Sequence, residues 1–103
     1  MSLETEFTEA LRGTIVAAKK RGYNPTYFTQ MLDELGGKET AKRLLAKREP
    51  QTGLFELWRL DLLHESMEAV VDDNPCFHIL FTQDEIHEAH RRLDELGYFK
   101  KGK

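Results

Sequence analysis

Residues 22–45 read GYNPTYFTQMLDELGGKETAKRLL, and this stretch decides the fold. Gly22 stands where a helix needs a left-handed C′ residue, and Lys19, Lys20 and Arg21 before it supply the positive charge that a helix C-terminus favours. Tyr23 is then placed to fold back on the last turn. Asn24 and Pro25 restart the chain: Asn is a strong N-cap, and Pro at the first helical position gives up an N–H that had no partner anyway. Phe28, Met31, Leu32 and Leu35 follow at i, i+3, i+4 and i+7, one apolar stripe. Gly36 and Gly37 end that helix. The next turns Ala41, Leu44 and Leu45 inward and Lys38, Lys42, Arg43 and Lys47 outward. Two helices joined by so short a link form a hairpin or a steeper corner.

The same grammar extends in both directions. Ser2 caps a first helix whose opening turn carries Glu4 and Glu6, and Leu3, Phe7, Ala10, Leu11, Thr14, Ala17 and Ala18 share one face. Beyond a polar loop from Arg48 to Gly53, residues 54–71 are rich in apolar side chains. Between Leu54 and Leu63 these surround the helix axis, the pattern of a central buried segment. One long helix and two helices meeting near Asp61 both satisfy it. Asp72-Asp73-Asn74-Pro75 breaks the run. Thr82-Gln83-Asp84-Glu85 is a capping box, with Phe81 and Ile86 as its hydrophobic staple. Ile86, Ala89, His90, Leu93 and Leu96 form the inner face of the last helix, Gly97 its C′ residue, and Tyr98 packs back on Leu93. The expectation is a single all-α domain over residues 1–99, a compact array of five or six short helices with no regular sheet. Residues 100–103 form a frayed basic tail. The expected core is Phe7, Leu11, Phe28, Met31, Leu32, Leu35, Leu44, Leu45, Leu54, Trp58, Leu63, Met67, Val70, Ile86, Leu93 and Leu96.

Composition bounds the function. With 103 residues, 40% hydrophobic and 32% charged, the chain suits one small globule with a solvated surface. Such a domain hides roughly 65% of the surface its unfolded chain exposes, which leaves little room for a deep pocket. No apolar run approaches the ~18 residues of a membrane span, and the acidic N-terminus lacks a signal-peptide pattern. Cys76 stands alone, so no internal disulfide forms and a cytoplasmic setting is the simplest expectation. The net charge of −3 conceals a gradient. Residues 1–48 hold nine Lys and Arg against six Asp and Glu; residues 49–103 hold six against twelve.

Several residues invite chemistry. His87 and His90 lie three apart on the last helix, with Cys76 and His78 just before it. A zinc site is stereochemically conceivable there, but the spacing fits no standard motif and His87-Glu88-Ala89-His90 is one residue short of H-E-x-x-H. The expectation is no metal and no cofactor, with His90 edging the core and His87 in solvent. Cys76 needs an electropositive setting to act as a nucleophile; Asp72 and Asp73 oppose that, so a small buried residue is expected. Glu65 and Glu68 read as the wet face of a helix. A basic ridge of Lys19, Lys20, Arg21, Lys38, Lys42, Arg43, Lys47 and Arg48 is the candidate nucleic-acid surface, with Tyr23 and Tyr27 between them to stack on bases. The sequence pI of about 5.8 argues against a dedicated nucleic-acid binder. Tyr23, Tyr27, Phe77, Tyr98 and Phe99 exceed what so small a core readily hides, which makes them candidates for a protein interface or self-association.

Gly22, Tyr23, Phe28, Met31, Ala41, Leu44 and Leu45, with Gly36 or Gly37 as turn glycine, also carry a resemblance. They are similar to a family of small, mostly bacterial helical proteins of unknown function with the run G-Y-x-x-x-x-F-x-x-M-x-x-x-x-G-x-x-x-A-x-x-L-L. Leu60-Asp61-Leu62, Ser66 to Val70, Leu80 to Glu85, Arg91 to Leu93 and Gly97-Tyr98 resemble its later segments, while Trp58 to Glu65 departs by extra residues. The matched residues are caps, glycine stops and core positions. Units of that family occur alone or beside nuclease-like modules of restriction or mobile-element type. The resemblance therefore implies a non-enzymatic accessory module and carries over no catalytic residue.

Overall fold

The computed structural model describes residues 2–47 and 52–100. Arg48 of the basic ridge and residues 101–103 of the tail lie outside the described residues. Among those described, the chain forms five α-helices: α1 (Leu3–Lys20), α2 (Thr26–Leu45), α3 (Thr52–Arg59), α4 (Met67–Asp73) and α5 (Gln83–Glu95). Two 3-10 turns, Leu63–Glu65 and Pro75–Leu80, flank α4, and no strand is present among the described residues. The fold class is the all-α array expected.

Most helix ends obey local chemistry. Ser2 Oγ accepts the Thr5 N–H at the start of α1. At its end the Tyr23 N–H donates to the Ala18 carbonyl and the Gly22 N–H to Lys19, with Gly22 at φ 89°, a Schellman stop. Helix α5 ends alike, Tyr98 bonding back to Leu93 around Gly97 at φ 82°. Its start is the complete capping box between Thr82 and Glu85. The start of α2 differs from expectation: Asn24 does not cap it. Pro25 occupies the capping position at φ −80°, ψ 74°, and its carbonyl accepts both the N–H and the hydroxyl of Thr29. Within α2 the two expected helices meet at a kink, Gly36 at φ 80° and ψ 168°. There α1 comes so close that a Cβ on Gly37 would stand 2.9 Å from the Thr8 Cα, while the Gly37 N–H donates to Thr8 Oγ1.

Residues 54–71 are two helices. Leu62 bonds back to the Leu57 carbonyl at 2.7 Å around Asp61, a third Schellman stop whose C′ residue is not glycine but an aspartate at φ 61°. This α3 corrects the expectation of a central segment. It is two turns long and its main neighbour is the Leu63–Glu65 turn. Leu54 is buried, but Trp58, expected in the core, is 50% exposed and Phe55 45%.

The core lies between two helix pairs, α1 with α2 and α4 with α5. At their junction Phe7 meets Phe77 and Phe81 edge-on, centroids 5.1 and 5.2 Å apart. Phe77, read as an interface aromatic, is thus a core residue. Leu54, Leu63, Ala69 and Leu93 form a second cluster, onto which Leu96, Tyr98 and Phe99 pack. Phe28 and Leu35 are only partly buried. Cys76, expected inside, is exposed, because Pro75 opens a 3-10 turn that directs Phe77 inward instead. Glu68, expected on a wet face, is 3% exposed. Its partner is buried Arg92, which reaches Glu68 at 3.0 Å, Glu88 at 2.7 Å and the carbonyls of Leu44 and Lys47 at 3.0 and 2.8 Å. One guanidinium thereby closes the C-terminal end of α2 against α4 and α5.

Candidate functional site

On a helix with 100° between residues, Leu57, Leu54, Trp58 and Phe55 fan across about 160° of α3, more apolar surface than the turn beneath it covers. The remainder faces outward or toward a cleft of about 300 Å³ between α3, the last turns of α1, the start of α2 and α4. Ile15 and Ala18 come from α1, Tyr27 and Phe28 from α2, Leu57 from α3 and Met67 from α4. The Schellman stop that folds Tyr23 back also puts its ring in this lining. A Cβ on Gly53 would stand 3.2 Å from the Tyr23 hydroxyl, so glycine leaves the phenol room against α3. Tyr27, 63% exposed, stands at the cleft beside Pro25 and Thr26.

Carboxylates supply the cleft's charge. Glu65 and Glu68 both line it. Burial pushes the Glu68 carboxyl above its ordinary range, against the opposing pull of Arg92. The Tyr23 phenol is also raised, first by burial and then by the negative charge of Glu56. The cleft is therefore apolar and aromatic, with the Glu65 carboxylate and the Arg92-paired Glu68 in its lining and the Lys47 ammonium over the Tyr27 ring.

The sequence-derived candidates separate into groups. Tyr23 and Tyr27 converge on the cleft. Tyr98 and Phe99 instead close the second cluster: the Tyr98 hydroxyl donates to Asp73, and Phe99 stacks on His90 with centroids 4.3 Å apart. Burial, followed by that bond to Asp73, pushes the Tyr98 phenol up to about 12. Of the basic ridge, Lys38 meets Glu4 at 3.6 Å, Lys42 meets Glu85 at 2.7 Å and Arg43 meets Glu39 at 2.9 Å. Arg21 donates to the Leu60 carbonyl at the end of α3, and Lys47 stands 5.7 Å over the Tyr27 ring. Lys19 and Lys20 are exposed on the last turn of α1. His87 is exposed as expected, but His90, expected at the edge of the core, is exposed too, its side chain pairing with Asp72 at 2.9 Å, while His78 contacts the Asp72 carbonyl. Among the described residues no three His, Cys, Asp or Glu side chains converge as metal ligands would.

Compared with known proteins, the chain matches no family model, no curated protein and no solved structure.

Phe55 and Trp58 are the functional candidates that sequence reasoning missed. Their encirclement of α3 was the available signal, and it pointed to burial. The segment between Gly53 and Asp61 is only two turns long, too short for its apolar width to be covered on every side.

Proposed function

We propose that this domain is a non-enzymatic protein-interaction module that docks a partner through the cleft and the aromatic shelf of α3. The observation that carries this reading is the apolar cleft walled by Tyr23, Tyr27 and Phe28, with Tyr27 63% exposed at it; Phe55 and Trp58, half-exposed on α3, lie outside its lining and extend the apolar surface. Clustered aromatics next to a pocket are the usual anchors of protein interfaces. Desolvating them returns free energy that folding has left unused. The resemblance to small helical proteins found beside nuclease-like modules supports placing such a module as an accessory in a restriction or mobile-element system.

Trp58 is the only tryptophan, so its fluorescence reports on the exposed face of α3, next in sequence to cleft-lining Leu57. Binding of a partner recovered from the native host is expected to shift its emission to shorter wavelength and shield it from acrylamide. Phe55→Ala and Tyr27→Ala should abolish that capture while leaving thermal unfolding nearly unchanged, because both side chains are largely outside the core. Capture that persists in both variants, with Trp58 still quenchable, would sink the reading. Nucleic-acid binding through Lys19, Lys20, Arg21, Lys38, Lys42, Arg43 and Lys47 has less support, since three of these cations already meet carboxylates. No helix among the described residues is long and apolar enough to cross a membrane.

A further inference from the structure

The cleft's chemistry narrows what it receives. Among the described residues both charged side chains that line it are carboxylates, and three aromatic rings, Tyr23, Tyr27 and Phe28, share its wall. Glu68 is already held by Arg92 on the buried side. Glu65 has its side chain 32% exposed, with His64 at 3.9 Å. The face of Tyr27 is already occupied by the ammonium of Lys47, 5.7 Å from the ring centroid, so an incoming cation has Glu65 as its partner. An acidic segment entering here would meet like charge. A purely apolar one would strip water from Glu65 without replacing it, a cost that only a paired cation offsets. A volume of about 300 Å³ is at the small end for a ligand site and suits one or two side chains.

We propose, resting on the docking reading above, that the occupant is a basic segment of a partner protein, which inserts one apolar side chain against Leu54, Leu57 and Met67 and sets an adjacent Lys or Arg against Glu65. The apolar residue supplies affinity, and the cation supplies direction and discrimination against acidic sequences.

A displayed library of random peptides, selected on the full chain and competed by a Tyr27→Ala variant, tests this directly. Selected peptides should pair an aliphatic or aromatic residue with a neighbouring Lys or Arg. Their affinity should fall with rising salt and drop about fivefold in Glu65→Gln, the size expected of a partly exposed ion pair. Glu65→Lys should redirect the selection to acidic peptides. Circular dichroism of each variant shows that the helices persist; if a Glu65 variant unfolds, the salt dependence of the parent decides alone. Peptides that need Tyr27 but carry no basic bias, or bind independently of salt, would overturn the charge assignment and leave the docking reading standing. Selection of no peptide that depends on Tyr27 would sink both. A dimer by light scattering that Tyr27→Ala dissolves would replace the basic segment by a second copy of this chain and overturn the charge assignment.

Discussion

Arg92 occupies a position on α5 between Ala89 and Leu93, both completely buried, yet it is a full cation only 6% exposed. Taking a guanidinium out of water costs several kcal/mol, and here two carboxylates and the last carbonyls of α2 offset it. Removing one partner of such a network leaves the other charge buried and unpaired. Arg92→Met is expected to lower the unfolding free energy by about 3–5 kcal/mol in urea titration. Adding Glu68→Gln to Arg92→Met should recover part of the loss, because it removes the stranded charge. A single variant within about 1 kcal/mol of the parent would show that the network is not structural. Thr40 presents the opposite case. It is fully buried and its hydroxyl has no hydrogen-bond partner among the described residues. An unpaired buried hydroxyl costs about 1–3 kcal/mol, so Thr40→Val, of nearly the same shape, should raise stability by about 1 kcal/mol. A lowered melting temperature for that variant would mean the hydroxyl is bonded after all.

Helix termini carry the next level of specification. Thr82 Oγ1 accepts the Glu85 N–H at 3.1 Å while Glu85 accepts the Thr82 N–H at 2.8 Å, so Thr82→Ala should cost about 1 kcal/mol. Unchanged thermal unfolding would contradict this start for α5. Asp61, at φ 61°, holds a conformation that costs an L-residue up to about 1–2 kcal/mol and glycine almost nothing. Asp61→Gly should therefore raise the melting temperature, and a loss of stability would mean that the aspartate side chain makes a compensating bond. These elements also mark how far the sequence can be read. Ser2, Gly22, Thr82 and Gly97 were legible because a cap acts on backbone groups within a few residues. Asp61 was not, since nothing local favours aspartate over glycine there. The exposure of Phe55 and Trp58 was hidden for another reason: periodicity gives the width of an apolar arc but not the size of the neighbour available to cover it. Two of the three rings in the cleft wall, Tyr23 and Tyr27, stood out in sequence as surface candidates. Leu57, Glu65 and the pairing of Glu68 with Arg92, 24 residues apart, depend on tertiary packing that no local pattern encodes.

The molecule's charge gradient, basic toward the N-terminus and acidic toward the C-terminus, is joined across helices rather than left as two separate surfaces. Lys42 on α2 reaches Glu85 on α5, and Arg92 on α5 reaches the end of α2. This arrangement sets how stability responds to acid. The hydrogen bonds from Arg91, with those and the charge of Arg92 added, overcome the opposing effect of burial and hold the Glu88 carboxyl down at about 2. Burial pushes Glu85 up, but the bonds from Lys42 and the Thr82 N–H outweigh it and leave the carboxyl below its usual range. Groups with lowered values bind fewer protons folded than unfolded, so their contribution is complete above the unfolded value near 4.5 and is lost as pH falls toward 2. Glu68 works with the reverse sign. Its raised value means that ionisation at neutral pH opposes folding, and mild acid relieves that cost. Acidification should therefore remove the Glu68 penalty first and the Glu88 and Glu85 contributions later. Thermal unfolding followed from pH 7 to pH 2 tests the order. Glu88→Gln should flatten the decline below pH 4.5 by on the order of 1 kcal/mol after solvent screening, while leaving the mildly acidic range alone. Glu68→Gln should remove the slope in that milder range, beside a pH-independent cost from leaving Arg92 with one carboxylate fewer. Parallel decline of the parent and Glu88→Gln below pH 4.5 would assign the acid sensitivity to other carboxylates.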